Sequence, residues 1–405
     1  MKKNRYNTLS PSNTSLLTRI GACLAVCAAL MSSGLPSPLY THYQLLFDLS
    51  SSSISAIFSA YAVGVLSALL LNIKISRYIR NRKYLLLSGS LILIVSNIVL
   101  ALASNEAALY LGRYLSGIAT GTLLGAAAAT LLELHPKKNP RATAVQSTVA
   151  FTLGSALGPV ISGVFIQYDL SPLFWSYWVI ILVALCSIPL FLLTDQWITP
   201  PKATQKSTSP TLKTRPFHLS PLFFISGLTL IIGWSVGSVL MAVGTKIAIE
   251  QVGISSALLA AALLMGFQLS AGIGQLLSGY ITPKMSVTSG IALTISALAL
   301  INLFSIFHAA IGFSLSVFIC GFGYGISFVG ATGLINQNSP NKELANNISR
   351  YYFIGYIFGN AFPAMLVGLL MDQFETSISI GLLSVWLLSI TAILYFLIYK
   401  NEKAA

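Results

Sequence analysis

Apolar runs long enough to cross a bilayer follow one another along this chain, separated by short polar breaks. A helix needs roughly 20 such residues to traverse the ~30 Å hydrocarbon core. On that measure the pattern predicts spans near 17–46, 53–72, 84–104, 107–133, 142–167 and 172–193. A second set is predicted near 219–245, 255–281, 285–306, 309–335, 347–371 and 376–399. The first span is long and contains Pro36 and Pro38, which predict a kinked or unwound outer end. The expected fold class is an all-α membrane protein of about twelve transmembrane helices.

The long polar stretch, Asp195 to Ser220, is rich in Ser, Thr and Lys and carries Pro200, Pro201, Pro210 and Pro216. Such a composition makes a flexible linker. It predicts a six-helix bundle over 1–194, a linker over 195–218 and a second six-helix bundle over 219–405. The halves carry a weak repeat. Gly117-x3-Gly121 matches Gly321-x3-Gly325, and Pro136 matches Pro340, each 204 residues on. Gly154-x3-Gly158 matches Gly355-x3-Gly359, 201 residues on. Two six-span pseudo-repeats suit a carrier whose halves rock about a central site.

Composition and charge sharpen this picture. Of 405 residues 55% are hydrophobic and 8% are charged, against about 25% charged in a soluble domain. So few charges cannot coat a water-soluble body of this size. The net charge of +13 would ordinarily raise nucleic-acid binding. Here the basic residues fall in short clusters between apolar runs, which is the positive-inside pattern. With twelve spans and both termini inside, 21 of the 23 basic residues sort to the inner side, leaving Arg113 and Lys246. Asp48, Glu106, Asp169, Glu250, Asp372 and Glu375 sort to the outer loops. The first forty residues imitate a secretory signal, but more membrane segments follow, so an uncleaved first span is expected. Cys23, Cys27, Cys186 and Cys320 lie inside apolar runs without metal-ligand spacing, which predicts free thiols, no disulfide framework and no metal site.

Three motifs carry candidate chemistry. Span 5 holds Gly154-x3-Gly158-Pro159-x2-Ser162-Gly163, in which small residues four apart admit a neighbouring backbone and Pro159 bends the helix. Span 4 holds Arg113-x2-Ser116-Gly117-x-Ala119-x-Gly121, with the arginine ~9 Å along the helix axis at 1.5 Å per residue. Arg113 is either a snorkelling anchor or a working part facing the bundle interior. Its partners would then be carbonyls at broken helices, or Gln146 or Gln167. Between spans 2 and 3 lies Asn72-x-Lys74-x-Ser76-Arg77-x2-Arg80-x-Arg82-Lys83, which also reads as a positive-inside anchor.

In span count, linker and these motifs the whole chain resembles the major facilitator superfamily, and within it the bacterial drug-efflux, antiporter-like branch. The span 5 motif is similar to the antiporter signature G-x3-G-P-x2-G-G, with Ser162 for one glycine. The span 4 motif is similar to R-x2-Q-G, with Ser116 for the glutamine. The basic loop occupies the place of G-x3-D-R-x-G-R-R but lacks its Asp and both glycines. The resemblance implies export, proton coupling linked to Arg113, and coupling or gating roles for Ser116, Gly117, Gly154, Gly158, Pro159, Gly163 and Arg77. It also implies a bacterial plasma membrane.

All ten acidic residues fall in loops or at span ends. Glu133 is the nearest candidate for a coupling carboxylate, with His135 and Asp48 behind it, so proton coupling rests on the resemblance and not on these residues. A binding cavity should be mostly apolar and aromatic with a few polar groups. The candidates are Gln146, Trp234, Gln268, Tyr324, Tyr352, Tyr356 and Asn360. Lacking charge, they suit a neutral or lipophilic-cation substrate.

The reading is a secondary active exporter of small apolar or lipophilic-cation compounds. It is expected to act as a monomer in the lipid bilayer, with no cofactor and no nucleic-acid partner. The closest alternative is an uptake carrier or passive facilitator for a small neutral solute, and a more distant one is a non-transporting scaffold or sensor. A membrane-embedded enzyme finds no support, since no His, Cys, Asp or Glu cluster has catalytic spacing and no Gly-rich loop with Lys suggests ATP use. The charge sorting makes a direct prediction. Reporter fusions should be cytoplasmic after residues near 140, 208 and 403 and external near 48 and 373; a swap at any one breaks the twelve-span topology.

Overall fold

A computed structural model describes residues 11–75, 81–136, 139–192, 220–338 and 344–404. Among them, twelve helical segments are long and apolar enough to cross a membrane. The first six are Ser15–Phe47, Ser51–Asn72, Arg82–Ala101, Glu106–Glu133, Ala142–Gln167 and Pro172–Leu192. The second six are Pro221–Gln251, Ala257–Tyr280, Pro283–Ile306, Ala310–Gln337, Asn347–Gln373 and Thr376–Asn401. They are numbered spans 1 to 12 in chain order. Most of the linker stretch, and Arg77 with its neighbours, lie outside the described residues.

The largest departure from the hydropathy reading is span 7, which runs on through a π-helical end, Ile247–Gln251. Several boundaries are set by side-chain caps on helix N–H groups that have no partner within the helix. Asn81, Asn105, Ser220, Ser256 and Thr282 begin spans 3, 4, 7, 8 and 9 in this way. Span 1 is broken as its prolines predict: one helix ends at Gly34 and a second begins at Pro36.

In lipid no hydrophobic force pulls helices together, so close packing must do it. The glycine repeat is where that packing occurs. A β-carbon on Gly117 would collide with the Tyr61 carbonyl, and one on Gly121 would lie 2.7 Å from Ala68 and 3.0 Å from the Val65 carbonyl. Span 4 thus lies backbone to backbone on span 2. In the second half, Gly321 and Gly325 meet the carbonyls of Phe267 and Ala271 in the same way, so span 10 lies on span 8. Gly154 and Gly158 seat span 5 on Cys27, Leu30 and Met31 of span 1, and Gly355 and Gly359 seat span 11 on Leu230 and Trp234 of span 7. The sequence repeat is therefore a repeat of helix contacts, and the two six-helix bundles share one packing scheme.

Alternation of the spans puts Arg82, Lys284 and Lys400 at one end of the bundle, the basic end, and Asp48, Glu106, Asp169, Asp372 and Glu375 at the other, the acidic end. At the acidic end the halves are joined. The Asp372 carboxylate of span 11 accepts hydrogen bonds from the Ser51 and Ser52 amides at 2.7 and 3.1 Å, capping span 2 from across the divide. Lys246 donates to Ser51, Thr245 to the Ser37 carbonyl and Ser256 to Gln167. Deeper in, Ser59 donates to the Ala361 carbonyl.

Span 5 is wedged between the halves. Gly163 faces Ala261 of span 8, with 2.5 Å left for a β-carbon, while Gly158 faces Met31 and Leu35 of span 1. Gly158→Leu is therefore expected to abolish transport while the protein still reaches the membrane. Membrane fractionation alongside a transport assay checks both; normal transport would mean that this contact is dispensable.

Candidate functional site

A cavity of about 540 Å³ lies between the halves. Val26, Leu30, Phe58, Tyr61 and Phe151 form its first-half wall, and Trp234, Met241, Phe267, Tyr324 and Phe328 its second-half wall. Its lining continues through Cys23, Leu69, Leu131, Ser147 and Gln275 toward the basic end. The acidic end is closed by the hydrogen bonds described above. Among the described residues, no Asp, Glu, Lys, Arg or His contributes to the lining.

Aromatic side chains cover much of the second-half wall. The ring of Tyr324 stacks on Phe267 at 5.7 Å and that of Trp234 on Phe328 at 6.2 Å, while Tyr356 meets Trp234 edge-on at 4.8 Å. Glycines make this wall possible. A β-carbon on Gly359 would lie 2.9 Å from the Trp234 β-carbon, so its absence lets the indole lie against span 11. There span 11 widens into a π-helical segment, Gly355–Ala361, which presents Tyr356 and Asn360 to the cavity. Such segments are frequent at functional sites.

Six of the seven cavity candidates line this space: Trp234, Gln268, Tyr324, Tyr352, Tyr356 and Asn360. Gln146 does not. Its side-chain oxygen accepts a hydrogen bond from Arg19 at 2.8 Å, and its neighbours Ser147 and Thr148 line the cavity instead. One residue turns a helix by about 100°, enough to move a side chain off a lining face. Gln167 is likewise engaged elsewhere, by Ser256.

Arg113 is fully buried, so it is no snorkelling anchor. Its Nη1 donates to the carbonyls of Ser32 at 3.3 Å and Ser33 at 3.1 Å, and its guanidinium lies over the rings of Tyr61 at 4.9 Å and Phe58 at 5.7 Å. The break in span 1 explains the choice of partner. Proline has no N–H, so Pro36 cannot serve the Ser32 carbonyl one turn back, and Arg113 serves it instead. Ser116 joins the same cluster through Ser32, their hydroxyls 3.0 Å apart. Pro159 packs toward Gly34 at this break, where a β-carbon would lie 3.1 Å from the ring. Glu133 sits elsewhere, ion-paired with Arg82 at 2.7 Å at the basic end and outside the cavity.

Sequence reading missed Phe58, Tyr61, Phe151 and Phe267. A signal for two of them existed in the repeat, since Tyr61 and Phe267 are the residues whose carbonyls receive the equivalent glycines of spans 4 and 10. Arg113→Lys would keep the charge but lose the planar donor fork that reaches two carbonyls while stacking on Tyr61. Both Arg113→Lys and Arg113→Ala are expected to insert normally and to lose most gradient-driven transport in proteoliposomes. Wild-type transport by the Lys variant would show that the guanidinium has no part in coupling.

Three comparisons place this geometry among known proteins. The Major Facilitator Superfamily profile matches residues 22–363. An uncharacterized transporter of Schizosaccharomyces pombe is 36% identical over 98 residues, which are 24% of this chain and 19% of that protein. The match thus spans about a fifth of that relative's length. A bacterial homologue of the human lysosomal transporter Spinster, solved in an inward-facing, unoccupied conformation, superposes with a TM-score of 0.75 at 15% identity, covering 96% of this chain and 97% of that one. The nucleoside transporter NupG superposes with a TM-score of 0.72 at 14% identity, covering 95% and 100%. At such identities the likeness is one of fold. Taken with a profile match that runs from span 1 into span 11, it leads to one conclusion: the chain belongs to the Major Facilitator Superfamily.

Proposed function

We propose that this protein is a secondary active carrier that exports small, largely apolar molecules across a bacterial plasma membrane. The observation that carries the reading is the uncharged, aromatic cavity between two like bundles, joined at the acidic end and lined toward the basic end. Positive-inside sorting assigns the basic end to the cytoplasm, so the cavity described here faces inward. A site between repeated halves that is sealed on one side suits alternating access by rocking. Export is what the resemblance of the span 5 motif to the antiporter signature implies, and the glycines of that motif contact span 1 of one half and span 8 of the other. On this reading Arg113, Ser116, Gly117, Gly154, Gly158, Pro159 and Gly163 act in coupling or gating. The aromatic wall with Gln268 and Asn360 holds the substrate.

The resemblance supplies the proton as coupling ion. One observation favours a second reading, uptake or passive facilitation: among the described residues no carboxylate lines the cavity. Inside-out vesicles separate the two. Driven by an acid interior, an exporter should accumulate the neutral dye N-phenylnaphthylamine above its level in vesicles lacking the protein, and collapse of the pH gradient should abolish the excess. Equilibration at the same rate with and without the gradient would identify a facilitator.

A further inference from the structure

We propose that Arg113 makes the cavity selective by charge, admitting neutral apolar molecules and amphipathic monoanions such as aryl carboxylates while rejecting lipophilic cations. This rests on the carrier reading above and narrows its substrate class. The guanidinium lies one side chain from the cavity. Ser33, whose carbonyl accepts its hydrogen bond, and Phe58 and Tyr61, whose rings it overlies, are all lining residues. Its Nε and Nη2 meet no hydrogen-bond acceptor among the described residues. Among the described residues no carboxylate is paired with it, and Glu133 is engaged by Arg82.

A fixed positive charge in a poorly polarisable wall projects its potential across the adjoining space. The uncharged lining offers no opposite charge to cancel it. The aromatic faces nearest Arg113 are also engaged. Tyr61 and Phe58 already meet the guanidinium and cannot offer the same faces to a ligand cation. The opposite wall, with Trp234 and Tyr356, is free of charge and takes an apolar body. A bound monoanion would therefore lie with its ring system on Trp234 and its negative end toward Ser33 and Tyr61.

Equilibrium dialysis on the purified protein in nanodiscs of zwitterionic lipid tests this with three labelled probes that share one apolar body: naphthylacetamide, naphthylacetate and naphthylmethyl-trimethylammonium. Empty nanodiscs give the lipid background, and Gly237→Trp, at a lining glycine where a β-carbon would make only ordinary contact, 3.7 Å from the Phe267 ring, fills the cavity and identifies binding there. Wild-type protein is expected to bind the amide, and to prefer the acetate over the ammonium by about tenfold or more. Arg113→Gln should erase that preference and Arg113→Lys should keep it. Equal binding of acetate and ammonium by the wild type, or an unchanged preference in Arg113→Gln, would overturn the charge filter and leave the carrier reading standing. Amide binding that is absent, or indifferent to Gly237→Trp, would overturn the cavity reading together with the filter. The wild-type order alone decides the matter if the Gln variant misfolds.

Discussion

Hydrocarbon offers a backbone N–H or carbonyl nothing to bond with, so a helix in a membrane must satisfy every such group from within the protein. Two prolines placed inside spans break that rule locally, and at each break a side chain from a neighbouring span makes the repair. Pro36 strands the Ser32 carbonyl, and Arg113 arrives from span 4 to serve it. Pro363 has no N–H for the Gly359 carbonyl one turn back, and Ser238 donates to it from span 7 at 3.3 Å. The two repairs lie in different halves and both border the cavity, since Ser33, Gly34, Ser238 and Asn360 all line it. The breaks that shape the site are thus also the points at which one span is bonded to another.

The second organising fact is the approach of backbones through glycine. Gly64 and Gly117 face each other across spans 2 and 4 so closely that a β-carbon on either meets the other helix's carbonyl. Such contacts fix pairs of helices into rigid units. The seam between the halves uses glycine contacts too, Gly163 on Ala261 and Gly368 on the Ser51 carbonyl, and adds polar bonds that can be exchanged for water, such as Asp372 on the Ser51 and Ser52 amides. Those exchangeable bonds are what a separable joint between rocking halves would need.

Much of the fold was legible because hydropathy reports span length directly. The broken end of span 1 was legible from Pro36 and Pro38. Either carbonyls at a broken helix or Gln146 or Gln167 were expected to hold Arg113, and it is the carbonyls of Ser32 and Ser33 that do so. The second-half wall of the cavity was readable because its aromatic and amide residues cluster around Gly355 and Gly359. The first-half wall was not. In a membrane helix a ring such as Phe58 or Phe151 is equally at home facing lipid or facing a cavity, so hydropathy cannot tell the two apart. Nor can a sequence show that Gln146 is claimed by Arg19, 127 residues away, or that Asp372 caps a helix 321 residues earlier.

The two halves share a packing scheme but not a stiffness. Span 5 is a continuous α-helix from Pro140 to Gln167, with Pro159 held inside it. Its counterpart, span 11, is interrupted by the wider turn of Gly355–Ala361 before resuming at Phe362. A turn of that kind has looser hydrogen-bond geometry than the α-helix on either side of it, and it divides span 11 into two rods joined by a compliant element. One rod carries Tyr351 and Tyr352 beside the cavity, and the other ends in Asp372 at the closed seam. Torque applied at either rod is concentrated in that turn, whereas span 5 transmits it along its length. Any load carried by these two spans would therefore fall unequally on halves that share one packing scheme.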